Sequence, residues 1–147
     1  MVGIVAVDDR VDELGAGRDD GDAHPGERRD RAAADAETAY AAWSEVANTV
    51  AQFEKVIMVV DPTETTRARA LLSEEIEIVE APLDDSWMRD IGPTFVIDDA
   101  GQLGAVTWTF NGWGAQEWAE WTNDRQIGRV VAGRAGVPVV SSMLVQE

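Results

Sequence analysis

The sequence contains no cysteine and a single histidine, His24, among its 147 residues. The lack of cysteine excludes disulfides, thiolate metal sites and a cysteine nucleophile within this chain. One histidine cannot form a multi-histidine zinc site or support a Ser-His-Asp arrangement with a second base. His24 stands beside Pro25 in a polar stretch, so we expect it to be a solvated residue rather than a ligand or a base.

Basic residues are also scarce. The chain has 12 Lys and Arg and 28 Asp and Glu, which gives a net charge of −16. This balance argues against nucleic-acid binding, which needs clustered Lys and Arg. There is no apolar run of about 18 residues, and the start lacks the basic flank of a secretory signal. We therefore expect no membrane contact and a cytoplasmic location. An acidic surface suits a cationic small molecule, although simple solubility explains the total charge better.

A hydrophobic content of 45% and six tryptophans nevertheless indicate a folded protein. Residues 1–34 are dominated by Asp, Arg, Gly and Ala without a period of 2 or 3.6. We predict a mostly disordered or atypical tail there, in which residues 2–7 could form a short strand. Order is predicted to begin near Asp35, so residues 35–147 form the folded domain.

Alternating helices and strands are predicted after Asp35. Apolar residues recur at steps of three and four and predict the core face of a helix: Ala36, Tyr40, Trp43, Val46, Ala47, Val50 and Phe53. Residues 55–60 predict a buried strand, Asp61 and Pro62 open a helix that runs to about Leu72, and residues 75–80 predict a second strand. This order is typical of α/β proteins.

The second half predicts a hairpin, a helix and a last strand region. Residues 94–97 and 103–109 are strand-like and joined by a turn that ends in Gly101. Residues 124–135 have helical spacing with Gly136 as C-cap, and residues 137–140 and 143–145 are strand pieces. The chain stops directly after them, which we expect of a cut through a larger domain.

Residues 82–95 combine three acids, an arginine and a tryptophan directly after a predicted strand. Ligands of open α/β proteins gather at the carboxyl ends of strands, and loops that hold polar ligands carry such side chains. We interpret this loop as a guanidinium-binding loop. A second loop has glycines on both sides of Trp113, which either presents the indole or packs it into the core.

Two stretches carry a resemblance to a known family: Asp84-Asp85-Ser86-Trp87-Met88-Arg89-Asp90-Ile91-Gly92-Pro93-Thr94-Phe95 and Phe110-Asn111-Gly112-Trp113-Gly114. The sequence closely resembles the agmatine deiminase family, which includes the bacterial-type peptidyl-arginine deiminases, over residues 36–147. That family belongs to the guanidine-modifying (pentein) superfamily with a five-bladed α/β propeller. The resemblance implies an α/β fold comprising roughly the first two units of that propeller.

The resemblance also implies roles for single residues. Asp90 would grip the substrate guanidinium, Trp87 would line the substrate channel, and Glu147 would make a second guanidinium contact. The resemblance also implies that Trp113 is a further substrate-binding residue. The family's nucleophilic cysteine and catalytic histidine lie downstream of this glutamate and are absent from this chain. Arg89 is predicted to brace nearby acids, either Asp84 or Asp85.

The function implied is hydrolysis of agmatine to N-carbamoylputrescine and ammonia in putrescine biosynthesis, with no cofactor and no metal. The partner is a small cationic guanidinium compound, and an oligomer of a full-length protein is left open. Because the nucleophile is missing, we expect this chain alone to be inactive. The alternatives are a peptidyl-arginine deiminase, a non-catalytic acidic module that binds arginine-like or polyamine cations, and a truncated product without a stable fold.

Overall fold

The computed structural model describes residues 2–7 and 25–145, which form two compact units, Met1–Glu80 and Ala81–Glu147. The boundary between the two units lies between Glu80 and Ala81, within the residues predicted to form the folded domain. His24 and Glu147 lie outside the described residues. In the part of the chain that the structure describes, no helix is both long and apolar enough to cross a bilayer.

The first unit is a parallel sheet with two helices. Its strands are β1 (Val2–Val7), β2 (Lys55–Val60) and β3 (Glu77–Glu80), with β2 in the centre. Helix α1 (Pro25–Val50) connects β1 to β2, and α2 (Thr65–Leu71) connects β2 to β3. Strand β2 has the predicted bounds, and its last three residues are completely buried, as expected for a central strand covered on both faces.

Helix α1 begins at Pro25, ten residues before the predicted start at Asp35. Residues 25–34 belong to the stretch predicted to be a disordered tail, and the structure differs there. The reason is composition: this segment is rich in Arg and Ala, which favour helix without an apolar stripe. Proline is also well tolerated in the first helical turn. Residues 25–34 have no helical periodicity of apolar residues, but their helix propensity favours the helix that the structure shows.

The predicted apolar stripe of α1 is confirmed by its buried central residues, but two residues predicted to belong to it, Val46 and Phe53, are exposed. Tyr40 and Ala47 are buried in the core of the first unit. Val46 is 58% exposed because each helical residue advances by about 100°, which places Val46 at the edge of the stripe. Phe53 is 84% exposed, so its assignment to the core was wrong. It follows the end of α1, where the helical period no longer applies.

The start of α2 also differs from the prediction, because Asp61 does not cap the helix. Its Oδ1 accepts hydrogen bonds from the backbone N–H of Thr63 (2.9 Å) and from the Thr63 hydroxyl (2.7 Å). A short acidic side chain satisfied two residues further on forms an Asx turn. The helix therefore starts one turn later, after Glu64.

The second unit contains a mixed sheet and three helices. Strands β4 (Thr94–Ile97) and β5 (Leu103–Thr109) are antiparallel, and β6 (Val139–Val145) pairs with β5 in parallel. The helices are α3 (Met88–Ile91), α4 (Gly112–Ala115) and α5 (Asp124–Ala135). The predicted hairpin and the predicted bounds of α5 are confirmed, whereas the two predicted strand pieces join into the single strand β6.

Local turn chemistry explains why the hairpin was predictable. The Asp98 carboxylate accepts hydrogen bonds from the backbone N–H groups of Ala100 (2.9 Å) and Gln102 (2.8 Å). Gly101 has a φ of +78°, which favours glycine. Beyond the hairpin, α5 packs on β5 through Ile127, Val131 and Ala132, which are buried. This packing fixes the start of α5 relative to the sheet.

The two glycines at the end of α5 predict opposite stability changes on substitution by alanine. Gly136 has a φ of +67°, so Gly136→Ala places a Cβ in the left-handed region and lowers the unfolding free energy by about 1 kcal/mol. Gly133 lies within α5, where an added Cβ meets nothing within 4 Å, so Gly133→Ala raises it by roughly 0.5–1 kcal/mol. Urea unfolding at constant m-value measures both changes, and equal signs would contradict the assigned C-cap.

Candidate active site

Four residues anchor the loop before α3 in the interior. Ala81, Leu83, Asp84 and Ser86 are all buried. Because these positions face inward, the indole of Trp87 stays at the surface and is 46% exposed. A half-exposed indole next to buried loop residues can serve as one wall of a site for a cation.

Helix α3 is a single turn that keeps Trp87 and Asp90 together. The Trp87 carbonyl accepts hydrogen bonds from the backbone N–H groups of Asp90 (2.9 Å) and Ile91 (3.1 Å). The turn ends at Gly92, where an added Cβ would lie 2.5 Å from the Met88 carbonyl oxygen. Only glycine fits at that distance. The half-buried Asp90 carboxylate and the Trp87 indole are therefore carried by one hydrogen-bonded turn.

Asp84 is buried and caps the start of α5. Its Oδ2 accepts from the backbone N–H groups of Asn123 (2.6 Å) and Asp124 (3.4 Å), and its Oδ1 accepts from the Asn123 side-chain amide (2.7 Å). A carboxylate at this position satisfies helix N–H groups and interacts favourably with the helix dipole. Asp84 and Asp85 were both predicted as candidate partners of Arg89, and that pairing stays a prediction.

Asp124 accepts hydrogen bonds from the loop that carries Asp84. It was not predicted from the sequence as a site residue. It is fully buried, and its Oδ1 accepts from the backbone N–H groups of Asp84 (2.8 Å) and Asp85 (3.2 Å). Its Oδ2 is buried and has no hydrogen-bond partner in the structure. The sequence offered one signal, an acid that opens a helix, and that signal is equally typical of an ordinary helix start.

Burial raises the pKa of Asp124 to about 7. The two backbone N–H donors oppose this shift, because they stabilise the charged form. The neighbouring carboxyl groups of Asp84 and Asp85 add to it by repelling a further negative charge. Near neutral pH the group therefore changes between a charged and an uncharged acceptor for the same two N–H groups.

Trp113 lies in α4, a short turn whose backbone is left-handed over its four residues. The φ values of residues 112–115 run from +53° to +86°, and Asn111 Oδ1 accepts from the Gly114 N–H at 2.9 Å. The Trp113 ring meets the buried Phe110 edge-on, with centroids 5.1 Å apart, and stacks on the exposed Trp118 at 5.6 Å. The indole is half-buried in an aromatic cluster on a strained turn.

A cavity of about 450 Å³ lies between α5 and the strands β5 and β6. It is lined by aromatic and polar residues: Thr107, Trp108, Thr109, Phe110, Asn111, Trp121, Arg125, Gln126, Arg129, Ser141 and Ser142. The lining holds two guanidinium groups and no carboxylate, so its charge is opposite to what a guanidinium ligand needs. Trp87, Asp90 and Trp113 do not line it. The predicted site residues therefore do not share this cavity.

Among residues 2–7 and 25–145, no group of three or more acidic or histidine side chains is placed to hold a metal ion. What the described loop offers is one half-buried carboxylate, Asp90, one turn from an indole. A carboxylate accepts the paired N–H donors of a guanidinium bidentately. The arrangement suits recognition of a planar cation.

Comparison with known proteins identifies the family. A model of the Porphyromonas-type peptidyl-arginine deiminase family matches residues 23–147. The chain belongs to this family. A Streptomyces coelicolor protein provisionally named an agmatine deiminase is 56% identical over 109 residues, and the agmatine deiminase of Stutzerimonas stutzeri is 42% identical over 111 residues. These matches cover 74% and 73% of this chain.

The fold agrees with solved structures of the same family. An agmatine deiminase of Enterococcus faecalis superposes with a TM-score of 0.72 at 26% identity over 98% of this chain. The match covers 36% of the Enterococcus faecalis chain, 32% of the Streptomyces coelicolor protein and 29% of the Stutzerimonas stutzeri protein. The chain thus spans about a third of the length of these family members and has their mixed α/β fold.

The raised pKa of Asp124 predicts a pH dependence of stability. The folded-state pKa of about 7 lies above the ordinary value of 3.8, so the folded state binds more protons between these values. The unfolding free energy therefore falls as pH rises from about 4 to about 7, by at most about 1.4 kcal/mol per pH unit, and this contribution is constant above. Urea unfolding of wild type and Asp124→Asn at pH 4.5, 6 and 8 tests this. The unfolding free energy of wild type should fall relative to that of Asp124→Asn as pH rises from 4.5 to 8, and parallel profiles would contradict this.

Proposed function

We propose that this chain is the guanidinium-recognition part of an agmatine deiminase-type hydrolase acting on the C–N bond of a linear amidine. The observation that carries the proposal is the single turn that joins the exposed Trp87 indole to the Asp90 carboxylate. The matched family and the names of the relatives in it support the reaction class. The substrate proposed is agmatine, which yields N-carbamoylputrescine and ammonia for putrescine synthesis.

Recognition would proceed through groups that match the shape of the substrate. The Asp90 carboxylate accepts two N–H donors from one edge of the guanidinium, which sets the plane of the group. The Trp87 indole lies against the cation, where such a contact contributes about 0.5–2 kcal/mol. Glu147, which lies outside the described residues, is proposed to hold a second edge. Trp113 is proposed to line the site as well.

The attacking group must come from elsewhere, since this chain has no cysteine. In the proposed reaction a thiolate adds to the central guanidinium carbon, ammonia leaves, and water hydrolyses the adduct to the ureido product and free thiol. A histidine would act as general acid and base. We assign both residues to the two thirds of the family members that this chain does not match. The two units are proposed to be the first two blades of a cytoplasmic five-bladed propeller.

A second candidate is a binding module without catalysis. The net charge of −16 and the lack of cysteine favour it for the chain as it stands. Such a module would hold arginine-like or polyamine cations through the same Trp87–Asp90 turn. The name of the matched family keeps peptidyl-arginine as an alternative substrate of the enzyme.

Substitution of Asp90 tests the recognition role. Asp90→Asn removes a charge-assisted hydrogen bond worth about 1.5–3 kcal/mol and should raise the Kd for agmatine by about 10- to 100-fold in calorimetry. Asp99→Asn makes the same charge change in the exposed hairpin turn and should leave the Kd within about twofold. Putrescine, which has no guanidinium, is the ligand control. Equal weakening by both substitutions would show non-specific attraction to an acidic protein.

The missing nucleophile predicts the outcome of an activity assay. The chain should release no ureido product from agmatine, because nothing in it can form the thiol adduct. A version extended through the remaining family length, including its cysteine, should release product, and replacement of that cysteine by alanine should abolish release. Turnover by the short chain would refute the role assigned to the cysteine, and inactivity of the extended protein would reject the enzymatic assignment.

A further inference from the structure

The segment of residues 84–91 is attached to one face of α5 at two points. At the first point the Asp124 carboxylate receives the backbone N–H groups of Asp84 and Asp85. At the second point Gly128 of α5 lies beside the end of α3, since an added Cβ there would lie 3.4 Å from the Ile91 carbonyl oxygen, an ordinary contact distance. Residues four apart share a helix face, so α5 fixes both ends of the segment that carries Trp87 and Asp90.

Hydrogen bonds continue from Asp124 toward the turn. Beyond the two N–H groups held by Asp124, the Asp85 carboxylate accepts from the Ser86 N–H at 2.6 Å. The Ser86 carbonyl accepts from the Met88 N–H at 3.0 Å, and the Trp87 carbonyl accepts from the Asp90 N–H at 2.9 Å. These local hydrogen bonds lie between the contact with α5 and the proposed ligand carboxylate.

We propose that Asp124 is a positioning residue for the guanidinium-binding turn: by accepting the N–H groups of residues 84 and 85, it sets where Trp87 and Asp90 stand. This inference rests on the proposed function and adds the residue that determines the geometry of the site. Asp124 touches no substrate in this arrangement and acts through the backbone. It lies forty residues from Asp84 in sequence.

The unsatisfied oxygen of Asp124 indicates that this residue positions the loop rather than only stabilising the second unit. A buried polar atom without a partner destabilises the folded state, and Asp124 Oδ2 is such an atom. A residue selected only to stabilise the unit would not retain that cost. Its Oδ1, by contrast, satisfies two backbone N–H groups that would otherwise lack an acceptor. Without it the loop must move toward water, and displacements near 1 Å at a reactive site have large effects on binding and rate.

Three variants of the full chain separate positioning from stability. Asp124→Ala removes the acceptor of the loop. Asp124→Asn keeps an oxygen at that position and serves as the conservative rescue. Asp84→Ala removes the cap of α5 at Asn123 but leaves the backbone N–H groups of residues 84 and 85 bound to Asp124. Amide hydrogen exchange of residues 84–90 and the Kd for agmatine are measured at a temperature where every variant is folded.

Asp124→Ala should accelerate exchange at residues 84 and 85 and raise the Kd for agmatine, each by about tenfold or more. Asp124→Asn and Asp84→Ala should keep the Kd within about threefold, although Asp84→Ala lowers the thermal midpoint. If Asp124→Ala shows no cooperative transition, Asp124→Glu replaces it, because one added methylene shifts the acceptor and should raise the Kd by about tenfold.

Two results would overturn the inference. One is unchanged exchange at residues 84 and 85 in the Asp124 variant. The other is a Kd that follows the thermal midpoint equally in the Asp124 and Asp84 variants, because a purely structural role predicts that correlation. Failure of the wild-type chain to bind agmatine instead rejects the proposed function, and hydrogen exchange still decides whether Asp124 holds the loop.

Discussion

The second unit depends on two buried aspartates that exchange hydrogen bonds between a loop and a helix start. Asp84 accepts the N–H groups at the start of α5, and Asp124 in that helix accepts the N–H groups of the loop. Each carboxyl group satisfies backbone donors that the other segment leaves open. Burial raises the pKa of Asp124 to about 7, and the nearby carboxyl groups of Asp84 and Asp85 add to this shift. The loop and the helix cannot move independently while this exchange is intact.

The remaining contacts of the unit extend that constraint to the surface turn. Helix α5 is held on β5 by buried Ile127 and Val131, and Gly128 of the same helix lies beside the end of α3. Gly92 then lets the chain leave the turn and enter β4 directly, where a side chain would collide with the Met88 carbonyl. The sheet thus supplies the rigid element and the turn supplies the chemistry, as is usual for loops that bind ligands.

Charge distinguishes the two features of the unit that could hold a small molecule. The lining of the cavity beside α5 carries Arg125 and Arg129 and no acid. The turn at α3 offers a carboxylate and an exposed indole. A guanidinium is bound by acceptors and an aromatic face, not by volume alone. The chain spans about a third of its relatives' length.

Sequence alone determined the parts of the fold that depend on neighbouring residues. Strand β2, the hairpin of β4 and β5, and α5 with its Gly136 cap follow from periodicity and turn residues, and the loop motif pointed to the family. Tertiary structure decided the partner of Asp84, the exposure of Phe53 and the role of Asp124. Hydrogen bonds between residues forty positions apart leave no periodic trace in a sequence. An acid that opens a helix looks the same whether it faces water or accepts the backbone of a distant loop, so only the folded chain reveals which donors it meets.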